Sequence, residues 1–226
     1  MQFSIVVAAT RDALGIGLNN RLPWKLSGDM QYFKRLTLAP NAHSVAPTAT
    51  AAATTASPAP DQTMASQTSD SRVVLESAVT TTTTTTATPP NAVIMGRSTW
   101  TSIPAKFRPL PDRLNVVLTS NPDARSLYEI PEHVLVEPSF SSALQTLEQL
   151  HANGTVNQVF VIGGAQVYAT ALQSPLLQRI YLTQINADIH CDVFMPPIDP
   201  AFRIVASEPR TENGIAYEFQ VLQRQP

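Results

Sequence analysis

Asp29 is the acid whose neighbours invite chemistry. It lies within Gly15-Ile16-Gly17-Leu18-Asn19-Asn20-Arg21-Leu22-Pro23-Trp24-Lys25-Leu26-Ser27-Gly28-Asp29-Met30-Gln31-Tyr32-Phe33-Lys34-Arg35-Leu36-Thr37. Leu26, Met30, Phe33 and Leu36 repeat at helical spacing and mark an apolar face, with Ser27 as cap. Asp29 sits beside that face, where a buried carboxylate is costly unless something donates a hydrogen bond to it. Two readings follow: a solvated acid in the first turn that favours the helix dipole, or a buried acid held for function.

A second set of residues suits an anion. Met95-Gly96-Arg97-Ser98-Thr99 and Ile162-Gly163-Gly164-Ala165-Gln166 each read as a strand running through glycine into a helix. Helix starts present unpaired N–H groups, and glycine lets an anion approach the backbone closely. Two such junctions on one sheet suggest a dinucleotide with its pyrophosphate between them; neither is a Gly-x-Gly-x-x-Gly fingerprint or a P-loop, and tight structural turns explain them equally well. Arg97, Ser98, Thr119 and Ser120 lie near strand ends and suit an extra phosphate, which would favour NADP over NAD.

His43, His133, His151 and His190 are scattered, and none has metal-ligand spacing to another histidine or to Cys191. No metal site is expected. Adjacent residues on an extended chain point in opposite directions, so His190-Cys191-Asp192 is a poor nucleophile cluster. There is no Gly-x-Ser-x-Gly elbow.

The elements that must position these residues alternate. Ile5-Val6-Val7-Ala8-Ala9 reads as a buried strand, followed by a loop whose glycines, asparagines and proline exclude regular structure and then a helix through Thr37. Further strands are expected at Ala92–Gly96, Leu114–Thr119, Val134–Val136, Val159–Ile162, around Arg179–Ile185 and around Ala216–Leu222. Helices are expected over Arg97–Ile103, along the apolar positions Phe140, Leu144, Leu147 and Leu150, and after Gly164. Continuous apolar strands alternating with helices argue for a mostly parallel sheet covered on both faces. Residues 38–90 break the pattern with Ala, Thr, Ser and Pro, including an unbroken threonine run from Thr80 to Thr86. So little apolar surface cannot offset ordering entropy, which makes a disordered surface insertion the expectation; a glycosylated stalk or translated intron are the alternatives.

With 226 residues, 43% of them hydrophobic, and a net charge of -2, the chain is long enough for one substantial domain and has no bias toward polyanions. Nucleic acid is an unexpected partner. One cysteine excludes an intramolecular disulfide and fits a reducing compartment. No apolar run is long enough for a bilayer, and the short apolar start lacks a basic leader, so a soluble cytoplasmic protein is expected.

Taken in chain order, Ile5-Val6-Val7-Ala8-Ala9, Gly15-Ile16-Gly17, Leu22-Pro23-Trp24, Asp29 with Phe33, Val93-Ile94-Met95-Gly96-Arg97-Ser98-Thr99-Trp100, Ser102-Ile103-Pro104, Arg108-Pro109-Leu110, Arg113-Leu114-Asn115-Val116-Val117-Leu118, Ile162-Gly163-Gly164 with Tyr168, Leu182-Thr183, and Asp192-Val193-Phe194 before Pro196 together resemble dihydrofolate reductase. The match covers all but residues 38–90, and the stretches 105–111 and 113–117 are most similar to lower-eukaryotic, fungal or protozoal, members. The resemblance implies one α/β domain over residues 1–226, with a central mostly parallel eight-stranded sheet flanked by helices and interrupted at about 38–90. It implies NADPH-dependent reduction of 7,8-dihydrofolate to tetrahydrofolate, supporting one-carbon metabolism and thymidylate and purine synthesis, by a monomer that binds dihydrofolate and antifolate-type molecules and neither nucleic acid nor membrane.

Carried over residue by residue, the resemblance makes Asp29 the acid against the pterin, assisted by Trp24, Thr183 and Leu22. Val6, Val7, Met30, Phe33, Ile103, Pro104, Leu110, Ile162 and Tyr168 would line the substrate slot, and Arg113 would pair with the α-carboxylate of the glutamate tail. Ala8, Ile16, Gly17, Gly96, Arg97, Ser98, Thr99, Leu118, Thr119, Ser120, Ile162, Gly163, Gly164, Ala165, Gln166, Val167 and Tyr168 would hold NADPH. The loop from Arg11 to Trp24 would act as a lid. Departures are the Asp where many eukaryotic members carry Glu, Ser98 where a basic residue is common, and a chain that stops after its final strand without a thymidylate synthase domain. A pteridine or ribityl-pyrimidine reductase on the same fold, or an inactive ligand-binding module, are the competing readings.

Overall fold

The computed structural model describes residues 1–44, 46–47 and 88–225. An eight-stranded sheet forms the spine, and its elements run in chain order as follows. β1 (Phe3–Thr10) is followed by the short β2 (Gly15–Gly17) and α1 (Ser27–Leu38); then come β3 (Asn91–Gly96), α2 (Arg97–Ser102), β4 (Arg113–Leu118) and α3 (Ala124–Leu127). β5 (Leu135–Glu137), α4 (Phe140–Ala152), β6 (Val159–Val161) and α5 (Ala165–Leu172) continue it, and β7 (Leu177–Ile185), β8 (Val193–Phe194), β9 (Phe202–Glu212) and β10 (Ile215–Arg224) complete it.

The order across the large sheet is β5-β4-β3-β6-β1-β7-β10-β9. Pairing is parallel from β5 through β7, while β10 runs antiparallel to both β7 and β9. Apolar β-branched runs such as Val159–Val161 suit strands covered on both faces. Alternate side chains of β1 feed two cores. Ile5 and Val7 pack with Phe140, Leu147 and Leu172 from α4 and α5. Val6 packs on the other face with Trp24, Tyr32, Leu36 and Trp100 from the side of α1 and α2.

Three expectations are corrected. Gly15–Gly17 is not irregular: it pairs antiparallel with Val193–Phe194 as a second, two-stranded sheet. β9 escapes the sequence pattern altogether, because it is the edge strand, half-exposed along most of its length and carrying Pro209 near its end. The low-complexity stretch also starts later than 38 and ends before 90. Leu38 closes α1, Ala42 is buried at the start of a short 3-10 turn, and the Asn91 amide donates to the carbonyls of Thr37 (2.9 Å) and Ala39 (2.8 Å). Asn157 and Gln158 both donate to the carbonyl of Pro40, so residues 39–42 are stitched to the sheet. The expected disorder of residues 48–87 lies outside the described residues. No helix among the described residues is long and apolar enough to cross a membrane.

Candidate active site

α1 starts at Ser27, and neither Ser27 nor the preceding Leu26 caps it with a side chain. The cap comes from 185 residues away: Glu212 accepts hydrogen bonds from the Ser27 amide (2.7 Å), the Ser27 hydroxyl (2.7 Å) and the Gly28 amide (2.9 Å). Orphan N–H groups at a helix start need such an acceptor, and a carboxylate also complements the dipole. Asp29 follows in the first turn and is 7% exposed, so the buried reading holds and the solvated one does not. Burial pushes its carboxyl up to about 6, the Thr183 hydroxyl hydrogen-bonded to it pulls the other way, and the Glu212 charge adds a smaller upward push. Among the described residues no cation forms an ion pair with it.

Asp29 opens on a cleft of about 400 Å³ that is also lined by Leu22, Trp24, Leu26 and Met30, with Lys25, Glu212 and Asn213 on one side. The expected helix face is rotated. Tyr32 is buried, stacked on Phe219 at 4.1 Å, and together with Asp29, Leu36 and Thr37 it forms the inward side of α1. Met30 is 52% exposed and lines the cleft, while Phe33 is half-buried one turn further on. The Trp24 Nε1–H is buried without a protein partner, an orphan donor in the same wall.

Two turns along α1, Arg113 at the start of β4 stands over the Phe33 ring, 5.8 Å from its centroid. Its Nη1 donates to Thr37 Oγ1 (2.7 Å) and its Nε to the Pro111 carbonyl (3.0 Å), while the Thr37 hydroxyl donates to the Phe33 carbonyl (2.8 Å). Burial holds the guanidinium below its usual range, and no acid among the described residues pairs with it. Ile103 and Leu110 are half-buried against the same core as Phe33. Asn115 fixes Leu110 by bonding both its amide (2.9 Å) and its carbonyl (2.8 Å). Pro104 is exposed at the rim.

The glycine junctions meet. α2 and α5 begin after Gly96 and Gly164 with no side-chain cap on either, and the Gly96 amide donates to the Gly163 carbonyl at 2.7 Å. Gly163 has φ +117°, and a Cβ there would lie 3.3 Å from both Thr99 Oγ1 and Tyr168 Oη; only glycine adopts that backbone without strain. The Gly163–Gly164 peptide is cis. Register sets Gly96 opposite Leu118, which brings exposed Arg97 and Ser98 to the same sheet end as Thr119 and Ser120. The half-buried Ile162, Ala165 and Val167, with exposed Gln166, continue this rim. Tyr168 is buried, and its hydroxyl donates to the Val6 carbonyl at 2.8 Å, so it braces β1 and its one O–H is already spent. The Val7 side chain belongs to the core on the opposite face from α1, because neighbouring strand residues point to opposite sides, so any part it has in the cleft falls to its backbone. Val6 and the half-buried Ala8 pack on the side of α1.

Above these strand ends the 11–24 segment is latched at several points. The Gly15 amide donates to Thr10 Oγ1 (2.9 Å), the Asn19 amide to Asp192 Oδ2 (2.9 Å) and the Asp192 amide to the Gly17 carbonyl (3.0 Å). A Cβ on Gly15 would lie 2.6 Å from Cys191 Sγ. His190-Cys191-Asp192 therefore contributes backing for this segment rather than a nucleophile, and no metal-holding cluster exists among the described residues.

Three residues of the site escaped the sequence reading. Thr37 had a usable signal, since Asp29, Phe33 and Thr37 recur every four residues and share a helix face. Glu212 and Tyr217 had none, because their contacts with the start of α1 are made across most of the chain.

A family model described as dihydrofolate reductase matches residues 2–42 and 80–224. The chain is 31% identical over 231 residues to the dihydrofolate reductase of Aedes albopictus, covering all of this chain and 98% of that protein. It is 33% identical over 225 residues to that of Heliothis virescens, with 97% and 96% covered. It is also 36% identical over 221 residues to the bifunctional dihydrofolate reductase-thymidylate synthase of Glycine max, where it covers 96% of this chain but spans only 32% of the relative. Against such bifunctional plant relatives the chain spans about a third of their length.

Proposed function

The chain belongs to the dihydrofolate reductase family, and from that premise we propose that it reduces 7,8-dihydrofolate to tetrahydrofolate with NADPH. The observation that carries this reading is Asp29: a buried carboxylate at the wall of a cleft, with no ion pair among the described residues, on the same helix whose Thr37 holds Arg113, a guanidinium that also has no ion pair among them. Eight residues of helix separate Asp29 from Thr37, the partner of Arg113, roughly 12 Å of rise. An acid at one end and a guanidinium at the other suit a substrate with a pterin head and a carboxylate tail.

In this reading Asp29 accepts hydrogen bonds from the pterin N3 and 2-amino groups, which orients the ring and favours the positive charge that develops on it. Thr183 holds the carboxylate in place. Leu22, Met30, Phe33, Ile103 and Leu110 exclude water along the slot, while Trp24, with its free Nε1–H beside Asp29, suits an ordered water there. Arg113 takes the α-carboxylate, a fork-shaped geometry that lysine cannot reproduce. The proton required at N5 comes from solvent, since Asp29 is engaged at the opposite edge of the ring.

The family implies a nicotinamide cofactor, which supplies the hydride when bound. The adjoining uncapped helix starts at Gly96 and Gly164, and the space that a Cβ at Gly163 would crowd, fit a pyrophosphate. Arg97, Ser98, Thr119 and Ser120 are the residues that would meet a 2'-phosphate, and Ala8, Ile16 and Ile162 would border the nicotinamide.

The deciding experiment follows absorbance of NADPH and NADH in parallel with dihydrofolate. Oxidation of NADPH in preference to NADH is expected, and no turnover with either overturns the proposal. Arg113→Ala should raise the KM for dihydrofolate by roughly ten- to a hundredfold, the loss of a charge-assisted pair; an unchanged KM would point instead to a pteridine substrate without a glutamate tail.

A further inference from the structure

We propose that Glu212, at the end of β9, is a positioning residue for Asp29: it fixes the first turn of α1 and places a permanent negative charge beside the catalytic acid. The inference rests on the reading of Asp29 given above and extends it to a residue on a distant strand. Both oxygens of Glu212 are engaged, Oε1 by the Ser27 amide and hydroxyl and Oε2 by the Gly28 amide. The Tyr217 hydroxyl of β10 is also hydrogen-bonded to it. These donors hold Glu212 ionised below the usual carboxylate range, the Gly28 amide contributing most.

The fit leaves no slack at Gly28. A Cβ there would lie 2.3 Å from Tyr217 Oη and 3.2 Å from Glu212 Oε2, so the β9–β10 pair can approach the helix start only over a glycine. Asn213, next in the turn, donates to the Lys25 carbonyl at 3.4 Å, which ties the segment before α1 to the same hairpin. Asp29 is the next residue after this clamp, and any drift of the clamp moves its carboxylate.

The charge has a direction too. Groups whose charge couples to Asp29 are Glu212 on β9, Tyr32 on α1 itself, Tyr168 on α5 and Tyr217 on β10; Thr183 on β7 donates to it and Lys25 lines the cleft. The tyrosines are neutral near pH 7, which leaves Glu212 as the anion among them. It opposes ionisation of Asp29 and makes the acid more ready to hold a proton.

The test uses the full chain without ligands, with the Asp29 carboxyl carbon followed by NMR across pH. Glu212→Gln should lower the Asp29 midpoint by about half a pH unit, and a midpoint equal to wild type overturns the electrostatic part. Glu212→Ala should reduce kcat/KM for dihydrofolate about tenfold, with Glu212→Gln recovering part of that loss; wild-type kcat/KM in the alanine variant overturns the positioning part. The titration reads the coupling even in a protein that turns over no dihydrofolate, so failure here is distinguishable from failure of the proposed activity.

Discussion

A buried carboxylate with no ion pair is at odds with folding, and Asp29, which has none among the described residues, shows it. Its carboxyl stands near 6 in the folded chain against 3.8 for an unperturbed aspartate, chiefly through burial. A carboxyl raised on folding contributes its stability below the unfolded value and loses it as pH rises through the folded one. Asp29→Asn, which cannot ionise, is therefore expected to be more stable than wild type at pH 7.5, by up to about 3 kcal/mol. The advantage should shrink below about pH 4, where aspartate is protonated in both states. Urea denaturation at the two pH values checks this, and parallel stability profiles would contradict it. The same variant should lose roughly two to three orders of magnitude in turnover, the expected trade at a site that uses an unfavourable charge. Arg113 is the complementary case, a guanidinium held by Thr37 Oγ1 and the Pro111 carbonyl with no ion pair among the described residues.

At the scale of elements, the site is a set of chain ends. Parallel strands β3, β4, β6 and β1 finish together, and their following segments collect at one rim of the sheet, the general place for ligands on such sheets. Gly163 is the test of whether that rim holds phosphate. Gly163→Ala introduces a side chain at φ +117° against Thr99 and Tyr168, which should cost about 1–3 kcal/mol in stability and raise the NADPH Kd by about tenfold or more. Calorimetric titration with NADPH alone decides the second point. A less stable variant with unchanged NADPH affinity would make Gly163 a purely structural turn residue. The helix starts themselves carry no side-chain caps at α2 and α5, whereas α4, remote from the site, is capped by Ser139 accepting from the Ser142 amide.

For the whole molecule, the low-complexity stretch marks where sequence inference and tertiary structure part. Residues 39–42 are bonded to Asn91, Asn157 and Gln158, so a deletion from 39 to 89 would remove part of the fold. Replacing residues 48–87 with a short Gly/Ser linker should leave kcat within about threefold and the unfolding midpoint nearly unchanged, because a stretch so poor in apolar residues contributes little burial. A large loss of kcat would mean that it reaches the cleft. Most strands and helices and the two glycine junctions were legible in the sequence, since each rests on local composition or on periodicity within a dozen residues; periodicity left Asp29 open between solvated and buried, and Arg113 stood out only through the resemblance to a known family. Ser27 as cap and the loop at Gly15–Gly17 were misread for one reason: each depends on a partner far along the chain, while β9 went unread as a half-exposed edge strand. Sequence by itself determined the family and which residues are candidates for its chemistry, Asp29, Arg113, Gly163 and Gly164, because these are named by local motifs that need no distant partner to be read. Only the tertiary structure decided that Asp29 is buried rather than solvated, since burial and the Glu212 clamp come from packing β7, β9 and β10 against a helix more than a hundred residues upstream.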